Sequence, residues 1–286
     1  MKIGIVPINV GGPEVVAQMI PLAQYAEAAG IESVWTFEHA MVPVDYNSRY
    51  PYDKSGKMPI QPEGWFVDPL IALSHVAAVT KTLRLGTGVN ILPQTNPLLL
   101  AKQAASIDVL SGGRLMLGLG IGWLEEEFVA MGTPFERRGA RFNDYIAAMK
   151  KVWSGDVVEH QSDFLSWSGF KSYPTPAQTP HPPLLVGGTS KQALKRVAQL
   201  GDGWYAPSGS PEQLAGQLAE LRTIASEVGR DYDTLEITGT WRVAAQPDAL
   251  SAYTDLGVSR LIVPLFSTGE TNYKAAIDVL AKAAGL

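Results

Sequence analysis

One histidine ends a predicted β-strand. His39 directly follows Glu38 at the end of the apolar run 33–39. An imidazole titrates near neutral pH, so it can give or take a proton under physiological conditions. The three other histidines fall in a predicted helix or a long connecting segment, and no two have metal-ligand spacing. We therefore predict His39 to be the catalytic acid or base, and we predict no metal site.

A glycine-rich turn follows another predicted strand. Residues 187–190 read Gly-Gly-Thr-Ser and precede a predicted helix. Free backbone amides and the dipole of a helix start attract anions, and phosphate is the expected ligand. We predict a phosphate site here, completed by the loop around 207–210; a tight turn capped by Ser190 would use the same residues without a ligand. The predicted phosphate contacts are Gly187, Gly188, Thr189 and Ser190.

Two predicted strands carry glycines at every second position. Residues two apart share a strand face, so each strand has one nearly bare face. Glycine in a strand costs about 0.5–1 kcal/mol relative to alanine, so repeated glycines indicate that something else approaches the backbone. We predict a flat ring in that space, and the alternative is that large neighbouring side chains fill it. The faces comprise Gly86, Gly88 and Asn90, and Gly118, Gly120 and Gly122.

Strand and helix patterns alternate along the whole chain. Such alternation implies parallel strands joined by helical crossovers, and eight units predict a single (β/α)8 barrel domain over residues 1–286. An open doubly wound sheet is the rival. In such a barrel the catalytic residues lie on the loops that follow the carboxyl ends of the strands. The predicted strands span 2–8, 33–39, 83–91, 115–122, 184–187, 204–206, 235–244 and 260–265.

Two connections are unusually long. Segment 40–67 follows strand 2, and segment 156–183 separates helix 4 from strand 5; both are rich in aromatic residues. Long aromatic loops in compact domains are often lids or pocket walls. A solvent-facing insertion or an oligomer contact is the alternative.

Composition excludes several classes of function. The net charge of −5 lacks the basic surplus that nucleic acid attracts, and the absence of cysteine excludes disulfides and thiolate chemistry. No lysine ends a predicted strand, which argues against Schiff-base catalysis. No membrane span or signal peptide is evident, so a cytoplasmic protein is expected. Residues 125–127 are three glutamates, and we expect a solvated helix start there.

Three separated motifs resemble the bacterial luciferase-like family, in its branch of coenzyme F420-dependent oxidoreductases. They are WTFEHAMVP at 35–43, RLGTGVNILPQTNPLLLAKQAASIDVLSGGRLMLGLGIGWLEEEF at 84–128 and PAQTPHPPLLVGGTS at 176–190. The resemblance implies a (β/α)8 barrel holding a flavin or deazaflavin at the carboxyl ends of its strands. It also implies that His39 lines the ring and that Gly88 and Val89 form a bulge behind it, often with a cis peptide.

The chain departs from the family pattern at two positions. Pro43 stands where characterised deazaflavin dehydrogenases of the family carry a tryptophan, and Trp123 stands where they carry a glutamate. These departures put sugar-phosphate or secondary-alcohol oxidation in doubt.

The predicted function is hydride transfer between F420 and a small organic substrate. An FMN-dependent monooxygenase using reduced flavin and O₂, or a flavin-binding protein without turnover, is the alternative. A homodimer is expected, because family members are commonly dimers. The pocket is predicted to be lined by Pro43, Trp65, Trp123 and Trp241, and the cofactor to contact Glu38, Gly88, Val89, Asn90, Gly118, Gly120 and residues 187–190.

Overall fold

Eight parallel strands close into a barrel in the computed structural model, which describes residues 1–207 and 209–286. Each strand pairs with its neighbours in chain order, and the first strand pairs with both the second and the last. The predicted (β/α)8 barrel is confirmed. The strands are β1 (Lys2–Val6), β2 (Ser33–Thr36), β3 (Arg84–Thr87), β4 (Leu115–Gly120), β5 (Leu184–Gly187), β6 (Gly203–Tyr205), β7 (Glu236–Thr240) and β8 (Arg260–Pro264).

Helices follow the strands and cover the outside of the barrel. Four helices begin at a polar cap, Asp68, Asn96, Ser190 or Ser210, whose side chain accepts a hydrogen bond from a backbone N–H of the first turn. In the described residues the α-helices are α1 (Pro13–Ala17), α2 (Met19–Ala28), α3 (Pro69–Ala77), α4 (Pro97–Ser111), α5 (Glu125–Ala130), α6 (Arg138–Trp153), α7 (Lys191–Leu200), α8 (Pro211–Glu227), α9 (Leu250–Asp255) and α10 (Tyr273–Ala284). None of them is long and apolar enough to cross a bilayer.

The third predicted strand, 83–91, is interrupted. After Thr87 the Gly88–Val89 peptide is cis, and pairing with β4 resumes at Asn90–Ile91. The chain therefore bulges between two stretches that pair with the same neighbouring strand.

Both long connections carry short strands of their own. In segment 40–67, Trp65–Phe66 pairs with Val10–Gly11, which fixes the end of the segment beside the barrel mouth. In segment 156–183, Val158–Gln161 pairs with Ser166–Phe170. This hairpin is tied to α6, because Asp144 accepts hydrogen bonds from both His160 and Ser162.

Apolar side chains fill both sides of the barrel wall. A large cluster lies between the strands and the helices. A smaller cluster fills the interior of the barrel and comprises Val6, Trp35, Met116, Leu185, Tyr205 and Ile262. The barrel is therefore a packed core, and a ligand must bind at its mouth.

One buried cation lies among the first residues of the strands. Arg260 is fully buried and donates to both carboxylate oxygens of Glu32, at 2.8 and 2.7 Å, and to Glu236. The two carboxylates come from the residue before β2 and from the start of β7. The arginine therefore links distant strands at the end of the barrel opposite the mouth.

Replacing this arginine should destabilise the barrel. We expect Arg260→Ala to lower the free energy of unfolding by about 3 kcal/mol, because it leaves two carboxylates without their buried partner. Lys2→Ala is the matched control: Lys2 also pairs with Glu236, but it is largely exposed, so its loss should cost less than about 1 kcal/mol. Urea unfolding of both variants measures the difference, and equal losses would contradict this account.

Candidate active site

His39 lies at the mouth of the barrel, three residues beyond β2. Its Nδ1 is 2.9 Å from Oε2 of Glu127, and its ring meets the rings of Phe66 and Trp123 edge-on. The histidine side chain is 10% exposed. Its predicted place at the carboxyl ends of the strands is confirmed, and its catalytic role remains a prediction.

The expected helix start at residues 125–127 is confirmed, and Glu125 is exposed, but the expectation that all three glutamates are solvated is wrong. Glu127 is buried at 2% exposure, and its Oε1 accepts from the backbone N–H groups of Ala40 and Met41 at 2.6 and 3.2 Å. Glu126 accepts in the same way from Asn47 and Ser48. The carboxylates of α5 therefore hold the first part of segment 40–67. The available signal was their place just after β4, where barrel residues face the mouth.

Aromatic rings from segment 40–67 cover the mouth. Trp123 packs edge-on against Tyr46 and Tyr50, with ring centroids 5.7 and 5.2 Å apart. The tryptophan thus lies between His39 and this segment, as its predicted place in the pocket wall requires. Pro43 is half-buried in the same segment.

The two other tryptophans predicted to line the pocket, Trp65 and Trp241, lie in different surroundings. Phe66 contacts His39, whereas its neighbour Trp65 is 48% exposed, because adjacent residues of a strand face opposite sides. Trp241 is fully buried, and its indole N–H donates to the carbonyl of Gln246. The prediction that Trp241 lines the pocket is therefore wrong, whereas the place of Trp65 in the pocket wall remains a prediction.

Glu38 lies beside the bulge in the third strand. Its carboxylate accepts from the backbone N–H of Ile91. Burial raises the pKa of this carboxyl to about 7, although the bond from Ile91 and the side chain of Asn90 act in the opposite direction. The Oδ1 atom of Asn90 is buried and has no hydrogen-bond partner among the described residues.

The bulge predicted at Gly88 and Val89 is confirmed, but the open glycine face is wrong. A Cβ on Gly118 would overlap the carbonyl oxygen of Thr87, and one on Gly120 would lie 2.6 Å from a methyl of Val89. Gly86 is covered by the ring of Trp35, and Gly88 by the hydroxyl of Tyr205. The protein's own groups fill the space, so Gly118 and Gly120 are not ring contacts.

The predicted phosphate turn borders a cleft. Thr189 lines a space of about 570 Å³ together with Tyr52 and Lys54 of segment 40–67 and Gln213 of α8. Ser190 caps α7, and the Gly188 carbonyl accepts from the indole of Trp204. A lysine side chain and a threonine that precedes the start of α7 line this cleft, and both suit an anion. Ser208, within the loop predicted to complete this site, lies outside the described residues.

Comparison with known proteins agrees with this arrangement. The model of the family described as luciferase-like monooxygenase matches residues 2–279. An uncharacterised protein of Mycobacterium tuberculosis is 34% identical over 244 residues, which cover 85% of this chain and 83% of that protein.

Two further relatives differ in the cofactor that their names give. An FMNH₂-dependent dimethylsulfone monooxygenase of Pseudomonas putida is 30% identical over 212 residues, covering 73% of this chain and 53% of that protein. The structure of a coenzyme F420-dependent tetrahydromethanopterin reductase from Methanopyrus kandleri superposes with a TM-score of 0.76 at 16% identity, covering 99% of this chain and 97% of that one. The second likeness is one of fold alone.

The close packing around the glycines of β4 predicts that adding a single methyl group there strongly lowers the free energy of unfolding. Gly118→Ala should lower the free energy of unfolding by about 3 kcal/mol, because the new Cβ overlaps backbone that cannot move aside. Gly216→Ala is the control: this glycine lies in α8 with open space around it, so alanine should stabilise by up to about 1 kcal/mol. If Gly118→Ala proves as stable as wild type under urea, the face is not closed as described.

The raised pKa of Glu38 predicts a pH-dependent stability. The folded protein holds this carboxyl neutral up to about pH 7, whereas its ordinary pKa is 4.5. The resulting stabilisation is complete below pH 4.5 and is lost as pH rises to about 7, in total on the order of 3 kcal/mol. Wild type should therefore lose stability relative to Glu38→Gln across this range, as measured by denaturant unfolding. A constant difference between the two proteins would refute the shift.

Proposed function

Because the chain belongs to the luciferase-like monooxygenase family, we propose that it is an oxidoreductase that transfers a hydride between coenzyme F420 and a small organic substrate. The observation that carries the proposal is His39, held by a buried carboxylate and surrounded by aromatic rings at the mouth of the barrel. Such a histidine is suited to exchange a proton with a bound molecule in a site largely closed to water.

The residues at the mouth fit a ring with polar edges. Asn90 presents a buried oxygen without a partner among the described residues, and a buried acceptor left unpaired costs about 1–3 kcal/mol. Glu38 beside it is a carboxyl that stays largely protonated below pH 7. Together they offer one acceptor and one donor. Glu38, Val89 and Asn90 are the residues that would hold the ring.

The phosphate end would lie in the cleft beside β5. Thr189 offers a hydroxyl, Lys54 a positive charge and Gln213 an amide on the lining of the same cleft. The carboxylate of Asp53 also lies on this lining, where the backbone N–H and hydroxyl of Ser55 donate to it. The amides at the start of α7 add the field of a helix N-terminus. Because Lys54 belongs to segment 40–67, a bound phosphate would also hold that segment against the barrel.

The deazaflavin supplies the hydride chemistry when bound, and the chain supplies position, exclusion of water and a proton partner. His39 gives or takes the proton at the substrate. Trp123, Tyr46 and Tyr50 form an apolar wall over it. An aromatic ring at position 123 cannot carry a proton as a carboxyl does, whereas His39, which meets this ring edge-on, can.

A monooxygenase that uses reduced FMN and O₂ is the second candidate. It is favoured by the 30% identical relative from Pseudomonas putida, whose name states that cofactor. Both candidates use the same barrel mouth and the same phosphate cleft, so the choice depends on which ring binds.

Titration of the purified protein with F420 and with FMN, oxidised and reduced, separates the candidates. We expect F420 to bind more tightly, as followed by fluorescence quenching or calorimetry. Tight binding of FMN alone would overturn the F420 proposal in favour of the monooxygenase. Binding of either cofactor without turnover on any substrate would favour a binding protein.

Replacement of His39 tests the proton role. With an identified substrate, we expect His39→Ala to lower kcat about 10²- to 10⁴-fold without a matching loss of cofactor affinity. His75→Ala, in the exposed histidine of α3, is the matched control and should retain wild-type turnover. Unchanged turnover in the His39 variant would remove His39 from the mechanism.

A further inference from the structure

We propose that Glu127 is a positioning residue that keeps the proton of neutral His39 on Nδ1 and presents Nε2 to the barrel mouth. The inference rests on the proposed function in one respect, because it concerns the histidine assigned there as the proton partner. It specifies which nitrogen of His39 exchanges the proton, which tautomer the neutral ring adopts, and which residue determines both.

The carboxylate of Glu127 is surrounded by donors. Oε1 accepts from the backbone N–H groups of Ala40 and Met41, at 2.6 and 3.2 Å, and Oε2 lies 2.9 Å from Nδ1 of His39. Backbone amides can only donate, so they require an acceptor at Oε1. An ionised carboxylate is an acceptor at both oxygens, and Nδ1 must then carry the hydrogen.

The other ring nitrogen is available for chemistry. Nε2 of His39 has no hydrogen-bond partner among the described residues, and it is not one of their enclosed unpaired atoms. Phe66 and Trp123 meet the ring edge-on, with ring centroids 5.2 and 6.0 Å from that of His39, and neither offers a hydrogen bond to this nitrogen. With the proton held on Nδ1, Nε2 carries a lone pair that can take a proton from a bound molecule and return it.

The same carboxylate also joins the histidine to the covering segment. Ala40 and Met41 begin segment 40–67. Their hydrogen bonds to Glu127 therefore attach the segment and also fix the carboxylate that orients the histidine ring. Glu126 lies next to Glu127 and holds Asn47 and Ser48 of that segment through similar bonds, but it does not touch His39. A change at Glu126 therefore affects attachment of the segment alone, whereas a change at Glu127 affects both the segment and the ring.

Glu127→Gln should reverse the tautomer. The amide N–H groups of Ala40 and Met41 still require an acceptor, so the new side-chain oxygen takes the place of Oε1 and the new NH₂ group faces Nδ1 of His39. Nδ1 must then accept, and the proton moves to Nε2. Glu126→Gln leaves the contact between Glu127 and His39 intact and should leave the tautomer unchanged.

Long-range ¹H–¹⁵N correlation of the histidine nitrogens reads the tautomer directly. The full chain, labelled with ¹⁵N-histidine and free of cofactor, is measured at a pH where imidazole is neutral, and His39→Gln identifies the signals among four histidines. We expect protonated Nδ1 in wild type and Glu126→Gln, and protonated Nε2 in Glu127→Gln. Protonated Nε2 in wild type, or the same shift in both glutamine variants, would overturn the proposal. The wild-type result decides the matter even if Glu127→Gln does not fold.

Turnover separates this proposal from the proposed function. If either cofactor supports a reaction, Glu127→Gln should lower kcat about 10²-fold or more with little change in cofactor affinity, because the acting nitrogen is blocked by a proton. An unchanged kcat would show that the tautomer has no catalytic consequence and would overturn the positioning role. If the expected tautomers are found but no cofactor binds, the proposed function fails and the orientation of His39 by Glu127 stands.

Discussion

The mouth of the barrel depends on one buried carboxylate. Glu127 receives hydrogen bonds from a histidine ring and from two backbone N–H groups of the covering segment. A buried carboxylate is tolerated only where donors surround it, so these three groups and the glutamate require one another. The histidine, the covering segment and the start of α5 therefore take their positions together.

A second constraint is the close contact between the bulge of the third strand and its neighbours. Val89 packs over Gly120 and Gly187, and the carbonyl of Thr87 approaches Gly118. Side chains at these positions would push the strands apart. The glycines thus leave the space that the bulge occupies. The bulge in turn brings Glu38 and Asn90 together at the mouth. The cofactor ring proposed here would meet the bulge and these polar groups, while the glycines lie beneath.

The two ends of the barrel use charge differently. At one end Arg260 is fully enclosed and hydrogen-bonded to two carboxylates, an arrangement that links β8 with β7 and with the start of β2. At the other end Glu38 has a raised pKa and Asn90 keeps an oxygen without a partner in the described residues. Polar groups left incompletely paired at a barrel mouth are typical of a binding site, whereas paired ones contribute to stability.

The sequence by itself determined the alternation of eight strands with helices, the starts of the helices and the place of His39. These features depend on side-chain period and on capping bonds between residues two or three apart, so they can be read locally. Tertiary structure alone decided that Glu127 binds His39, 88 positions away, that Phe66 faces the histidine in place of Trp65, and that Val89 covers the glycines. Those contacts exist only because closure of the barrel brings distant strand ends to one place, which no local pattern encodes.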